Sequence, residues 1–228
     1  MFISESDLLL TLMFAIGLFQ YFWFSVMFVR KGVNPSTIRL YMLPILTVWV
    51  LIWPAYENTA LPLLSLTLLL IPLLFALRNN SAFARHLRLA WHGRPEQLRQ
   101  PTPWLMLWLS LMITTTLFHQ APELGLGAGL SLTLAWSAAE IWDKSGHGFK
   151  LGLSHNPSQS LAGHLIWVLA SSLLCAWALQ LYHGISWHTF MVATVIAGFV
   201  ASMIRALIPQ GWNLPMSMLG LSLTLWIL

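Results

Sequence analysis

The sequence predicts an all-α protein: a polytopic membrane helix bundle of about eight transmembrane spans, with both termini outside. Three observations predict it. Of the 228 residues, 57% are hydrophobic and 8% are charged, whereas a soluble domain carries roughly a quarter charged residues and cannot hide so much apolar surface. The apolar residues fall in runs, most of them near the roughly 20 residues that cross a bilayer. The eleven Lys and Arg occur only in alternate connections between those runs, the pattern left when positive loops stay in the cytoplasm.

The first run, 8–29, follows an acidic start with no basic residue ahead of it and no small-residue cleavage site behind it. It reads as a retained span rather than a signal peptide. Arg30, Lys31 and Arg39 follow. Runs 40–56 and 60–77 are short, and the junction "WPAYENTALP" suits a tight hairpin. The basic connection 78–102 holds Arg78, Arg85, Arg88, Arg94 and Arg99. One reading of it is an amphipathic helix that dips Phe83, Leu87, Leu89 and Trp91 into the headgroups and turns its arginines to anionic lipid. The other is a solvated loop that only sets topology. Runs 103–119 and 124–142 come next, the second opening on "GLGAGL", whose small residues permit close helix packing. A polar connection at 143–160 carries Lys144 and Lys150, and runs 161–182, 187–207 and 212–228 complete the chain, with Arg205 ending the seventh. Residues 1–228 thus read as a single integral membrane domain.

The remaining composition narrows the function classes. The net charge of +4 sits in the loops, where topology accounts for it, so no nucleic-acid partner is expected. The single cysteine, Cys175, lies in an apolar run and excludes a disulfide framework. Trp53, Trp104, Trp142 and Trp212 fall at run ends, as an aromatic belt does. Ionisable residues are almost absent from the middle of the runs and no inverted repeat is visible, which argues against a transporter. Compact loops and the lack of an organelle transit signal point to a bacterial inner membrane.

The chemistry concentrates in "EIWDKSGHGFKLGLSHNPSQSLAGH", Glu140 to His164. Glu140 and Asp143 share a helix face at a spacing of three. With Lys144, His147 and Lys150 beside them they could hold Mg²⁺ and a phosphorylated ligand, since Mg²⁺ takes one or two carboxylates and fills its shell with water and phosphate oxygens. Local pairing of either acid with Lys144 fits equally well. Asn156-Pro157 favours a turn, and Ser158 to Ser160 then caps the sixth run. Its N-terminus is either an anion site or an ordinary cap. His147, His155 and His164 match no zinc spacing.

Three stretches in order resemble the phytol kinase and dolichol kinase family, which is related to the CTP-dependent phosphatidate cytidylyltransferases. The family pattern runs GDxxAExxGxxxG, then NPKKSxxGS, then ExxSPxGxDN. In "AWSAAEIWDKSGHG", Ala139, Glu140 and Ile141 match; in "NPSQSLAGH", Asn156, Pro157, Ser160, Ala162 and Gly163 match; in "IRALIPQGWNLP", Pro209, Gly211 and Trp212 look similar. The resemblance implies a membrane enzyme that transfers a phosphoryl or nucleotidyl group from CTP or ATP to a membrane lipid of polyprenyl or other type. It implies Glu140 and Asp143 as the catalytic, Mg²⁺-holding pair, with Lys144, Lys150, Asn156, Ser158, Ser160, Gly163 and Arg205 around the phosphates. Here Trp136 stands at the family's first aspartate, Ser158 and Gln159 at its two lysines, Arg205 at its glutamate and Asn213 at its last aspartate. Phosphoryl transfer works by charge neutralisation, and these departures fall on the charged groups. The second implied reading is therefore a catalytically inactive relative, a lipid-binding subunit or the partner of another membrane protein.

Overall fold

The computed structural model describes residues 4–58, 60–92, 102–146, 148–151, 159–209 and 212–228. They form helices: α1 (Glu5–Arg30), α2 (Pro35–Ile52), α3 (Ala60–Thr67), α4 (Leu70–Arg78), α5 (Ala82–His92), α6 (Thr102–Leu117), α7 (Pro122–Leu130), α8 (Trp136–Lys144), α9 (Leu161–His183), α10 (Met191–Leu207) and α11 (Asn213–Ile227). Among the described residues the only extended pairing is an isolated antiparallel bridge between Lys150 and Ser160, so the protein is all-α as the sequence predicts. Four stretches are long and apolar enough to cross a membrane: Glu5–Arg30, Ala60–Arg78, Pro122–Lys144 and Leu161–His183. Shorter apolar helices cover Leu43–Ala55, Leu105–Leu117, Met191–Leu207 and Asn213–Ile227. Side chains such as Leu8 and Phe19 stand 62% and 67% exposed, along with many others of their kind, a surface that suits lipid rather than water.

The chain divides into two compact units, one of Met1–Met42 with Ala55–Trp108 and one of Leu43–Pro54 with Leu109–Leu228. In the first, α1 is apolar all round, yet Phe14, Leu18, Phe22 and Val26, recurring every four residues, form its buried stripe. Helix α1 packs against α3 and α5. Helix α5 forms within the basic connection. Its Ala84, Leu87 and Ala90 are buried, and Phe83 lies 5.9 Å from the Trp23 ring of α1 and 6.1 Å from the Phe75 ring of α4. The amphipathic reading of this connection thus has a helix to stand on, but much of the apolar side packs on protein. Arg88 is buried with it, and its Nη1 donates to the Ala76 carbonyl at 3.0 Å, one of the carbonyls that the end of α4 leaves open.

Asp7 organises the other end of this unit. It is fully buried, and its carboxylate accepts from the Glu57 N–H at 2.9 Å and the Asn58 N–H at 3.0 Å. The Asn58 side chain in turn accepts from the Ala60 N–H at the start of α3. Removing the acceptor strands two backbone donors, each costly if left without a partner. Asp7→Ala is therefore expected to lower unfolding stability by about 1–3 kcal/mol, read from thermal unfolding in mild detergent, with Asp7→Asn retaining part of it.

In the second unit α7 and α8 run as one rod, joined by a single π-helical turn at Ser131–Ala135. Such turns insert one residue into a helix and often mark functional stretches. This rod lies along α9, and α9, α10 and α11 follow one another as neighbours. Thr133, inside the π turn, accepts from the Thr47 hydroxyl at 2.9 Å. Cys175 is buried on α9, 3.5 Å from the Ser131 hydroxyl. The ends of α8, α9 and α10 come together, and there the polar residues gather.

Candidate functional site

Asp143, in the last turn of α8, sits at the centre. Its Oδ1 accepts from both the backbone N–H and the hydroxyl of Ser160, each at 2.8 Å. Its Oδ2 accepts from Arg205 Nη2 at 2.7 Å. The two side chains are 6% and 2% exposed, so this is a buried ion pair bridging α8 and α10. Ser160 is the N-cap of α9: it donates its hydroxyl hydrogen to Asp143 and accepts from the Gly163 N–H at 3.0 Å. A serine at this position stabilises a helix start because a side-chain oxygen meets one of the open backbone donors. Gly163 is required by proximity. A methyl group on its Cα would overlap Asp143 Oδ1 and lie 2.8 Å from Cγ.

Arg205 has further neighbours. Its guanidinium carbon lies 4.9 Å from the centroid of the Trp136 ring, a cation–π contact of the kind that gains strength away from water. Trp136 meets Trp167 edge-on at 5.4 Å. Arg205 Nε and Nη1 are buried and find no hydrogen-bond partner among the described residues.

A second chain of bonds closes the centre. Gln159 Nε2 donates to the Arg205 carbonyl at 3.3 Å, which turns Gln159 Oε1 toward His164 Nε2 at 3.2 Å. An amide oxygen only accepts, so His164 carries its hydrogen on Nε2. Nδ1 shares a hydrogen bond with the Ser202 hydroxyl at 2.8 Å.

Of the residues singled out from sequence, Asp143, Ser160, Gly163 and Arg205 meet here. Glu140 is half-buried on α8, three residues before Asp143, and Lys144 is exposed at the end of the same helix. Lys150 is exposed, with its backbone bridged to Ser160. Asn156 and Ser158 lie outside the described residues, as do His147 and His155. Among the described residues no group of three or more His, Cys, Asp or Glu stands ready for a metal ion.

Sequence reasoning missed Gln159 as a hinge between α9 and α10, the Ser202–His164 bond, and the packing of Trp136 on Arg205. One signal for the last was available. Trp136 and Arg205 are two of the three positions where the resembled motifs carry an acid that this chain replaces, and paired replacements at distant positions suggest contact. No protein-family model, curated protein or solved structure matches the chain.

Proposed function

We propose that the chain is a catalytically inactive relative of the CTP-dependent lipid kinases and cytidylyltransferases, serving as a lipid-binding or partner-binding subunit of a bacterial inner membrane. In this reading it crosses the membrane about eight times with both termini outside. The 78–102 and 143–160 connections then face the cytoplasm, as the alternate placement of Lys and Arg argues.

The observation that carries the reading is the pairing of Asp143 with Arg205 at 2.7 Å, with Trp136 stacked on the same guanidinium. Three donors converge on Asp143. A magnesium ion needs acceptors and would meet the charge of Arg205, so this surrounding does not suit the metal. Nor does Trp136 offer it a ligand. Together these residues do the work of cohesion, joining α8, α9 and α10.

The transfer reaction remains the second reading. In its favour, Glu140 lies beside this centre and the exposed Lys144 and Lys150 lie in the chain just after it. Equilibrium binding of CTP and ATP to detergent-purified protein, with and without Mg²⁺, separates the two. The expected result is no Mg²⁺-dependent binding, together with a lipid or membrane protein that stays with the chain through purification. Mg²⁺-dependent binding that vanishes in the Glu140→Gln, Asp143→Asn double variant would overturn the inactive reading.

A further inference from the structure

Arg88 is a buried cation with no ion pair among the described residues. It is 6% exposed, on the side of α5 that carries Ala84 and Leu87 into the first unit. Its Nη1 donates to the Ala76 carbonyl, while Nε lacks a hydrogen-bond partner among the described residues. A carbonyl offers only a dipole, and an arginine withdrawn from water needs an opposite charge. Further cations gather at the same place. Arg78 ends α4 two residues after Ala76 and is exposed. Arg85 stands three residues before Arg88, so the two are neighbours on the helix surface, and Arg85 is exposed. Like charges set side by side repel unless an anion joins them. Glu96, the one acid in the basic connection, lies outside the described residues.

Helix α4 supplies the second observation. Arg78, Leu74 and Ile71 recur at spacings of four and three and so share one side of α4. Leu74 and Ile71 are exposed, and α4 closes a stretch, Ala60–Arg78, that is long and apolar enough to cross a membrane. An exposed apolar row thus ends in a guanidinium, which is the outline of an amphiphile with an anionic head. A soluble anion would use the cations and leave the row idle. We infer that the end of α4 and the first turns of α5 bind an anionic phospholipid. Its phosphate lies between Arg78 and Arg85, whose forks suit phosphate oxygens, and supplies the counter-charge of the buried Arg88. Its acyl chain follows Leu74 and Ile71. The site belongs wholly to the first unit, so the inference does not rest on whether the Asp143 centre is active.

The test uses the full chain, delipidated in a neutral detergent. Dioctanoyl phosphatidylglycerol or dioctanoyl phosphatidylcholine is titrated into the micelles. Thermal unfolding reads binding, since a ligand of the folded state raises the transition by mass action. Phosphatidylglycerol is expected to raise it saturably and phosphatidylcholine to leave it nearly unchanged. The double variant Arg78→Gln, Arg85→Gln, altered only at exposed side chains, should bind phosphatidylglycerol at least about tenfold more weakly, a difference of ~1.4 kcal/mol. Lys144→Gln with Lys150→Gln removes the same charge from the second unit and should bind as the wild type does. Arg88→Met should narrow the gain from phosphatidylglycerol; should it not fold, the exposed double variant decides. Equal weakening in the two double variants would mean a general attraction of a basic protein to acidic lipid and would overturn the inference. An equal rise with inorganic phosphate would overturn it too. Glu96→Gln should leave unfolding in lipid-free micelles unchanged, and a clear drop there would assign the counter-charge of Arg88 to the chain itself, against the inference. Mg²⁺-dependent nucleotide binding by the wild type would sink the inactive reading alone.

Discussion

Arg205→Ala is expected to cost about 3–5 kcal/mol of unfolding stability, because it leaves a buried carboxylate without its counter-charge. Asp143 would keep its two bonds from Ser160, but its side chain is 6% exposed and too little water reaches it to replace a guanidinium. The Trp136 ring would lose its partner at the same time. Arg205→Lys should recover only part of the loss, since an ammonium cannot both stack on the indole and reach Asp143 with a fork. The informative variant is Asp143→Asn with Arg205→Met. Replacing both members of a buried pair with groups of similar size is often close to neutral, so the double variant should be more stable than Arg205→Ala. The four corners of that cycle, unfolded thermally in the same detergent, give the coupling directly. A neutral Arg205→Ala would mean that the pair does not hold α8 to α10.

The helices were legible because hydropathy reads burial in lipid and in protein alike. Runs 8–29 and 161–182 became α1 (Glu5–Arg30) and α9 (Leu161–His183) with little displacement. Legibility failed where the two kinds of burial must be told apart. In the basic connection the sequence reading left open whether a helix forms there, and, if one does, aimed Leu87 at the headgroups. The residue lies buried in the first unit, because the aromatic cluster of Trp23, Phe75 and Phe83 draws on positions distant in sequence. Asp7 is a similar case. Nothing in "ISESD" says that this acid caps a turn some fifty residues on.

The polar centre was half legible. Spacing put Glu140 and Asp143 on one side of a helix, and both were offered the same role. The fold separates them: Asp143 is committed to Arg205 and Ser160, and Glu140 stays at the half-buried edge. A spacing of three cannot make that distinction, because it depends on what the next two helices carry. Ser160 and Gly163 were legible as an N-cap and a small residue in a motif. The physical reason for the glycine emerges only with the carboxylate pressed against its Cα. Arg205 was named from its motif position as a phosphate grip, and in the fold it pairs with Asp143. The same few residues therefore serve helix capping, ion pairing and close approach at once, which makes this end intolerant of single changes.

Gly127→Ala, on the face of α7 toward α9, is expected to be strongly destabilising in the second unit. A Cβ at Gly127 would lie 2.9 Å from the Cα of Cys175 and 3.2 Å from its Sγ. The nearest obstacle is backbone, so no rotamer change relieves it and the two helices must move apart. Overpacking of this kind costs about 1–3 kcal/mol for one added carbon, and more where the neighbour cannot yield. Gly127→Leu is expected to prevent folding, and trimming Cys175 to alanine should not rescue Gly127→Ala, because the Cα remains. Gly220→Ala is the control. There the added methyl would overlap Ile204 Cδ1, the far end of a flexible side chain, with its next contact at 3.6 Å. Rotation of Ile204 relieves it, so the change should stay within about 1 kcal/mol. Unfolding of the two variants side by side in one detergent separates backbone contact from side-chain contact. Equal losses would mean that α7 and α9 do not approach as closely as the Gly127–Cys175 contact requires.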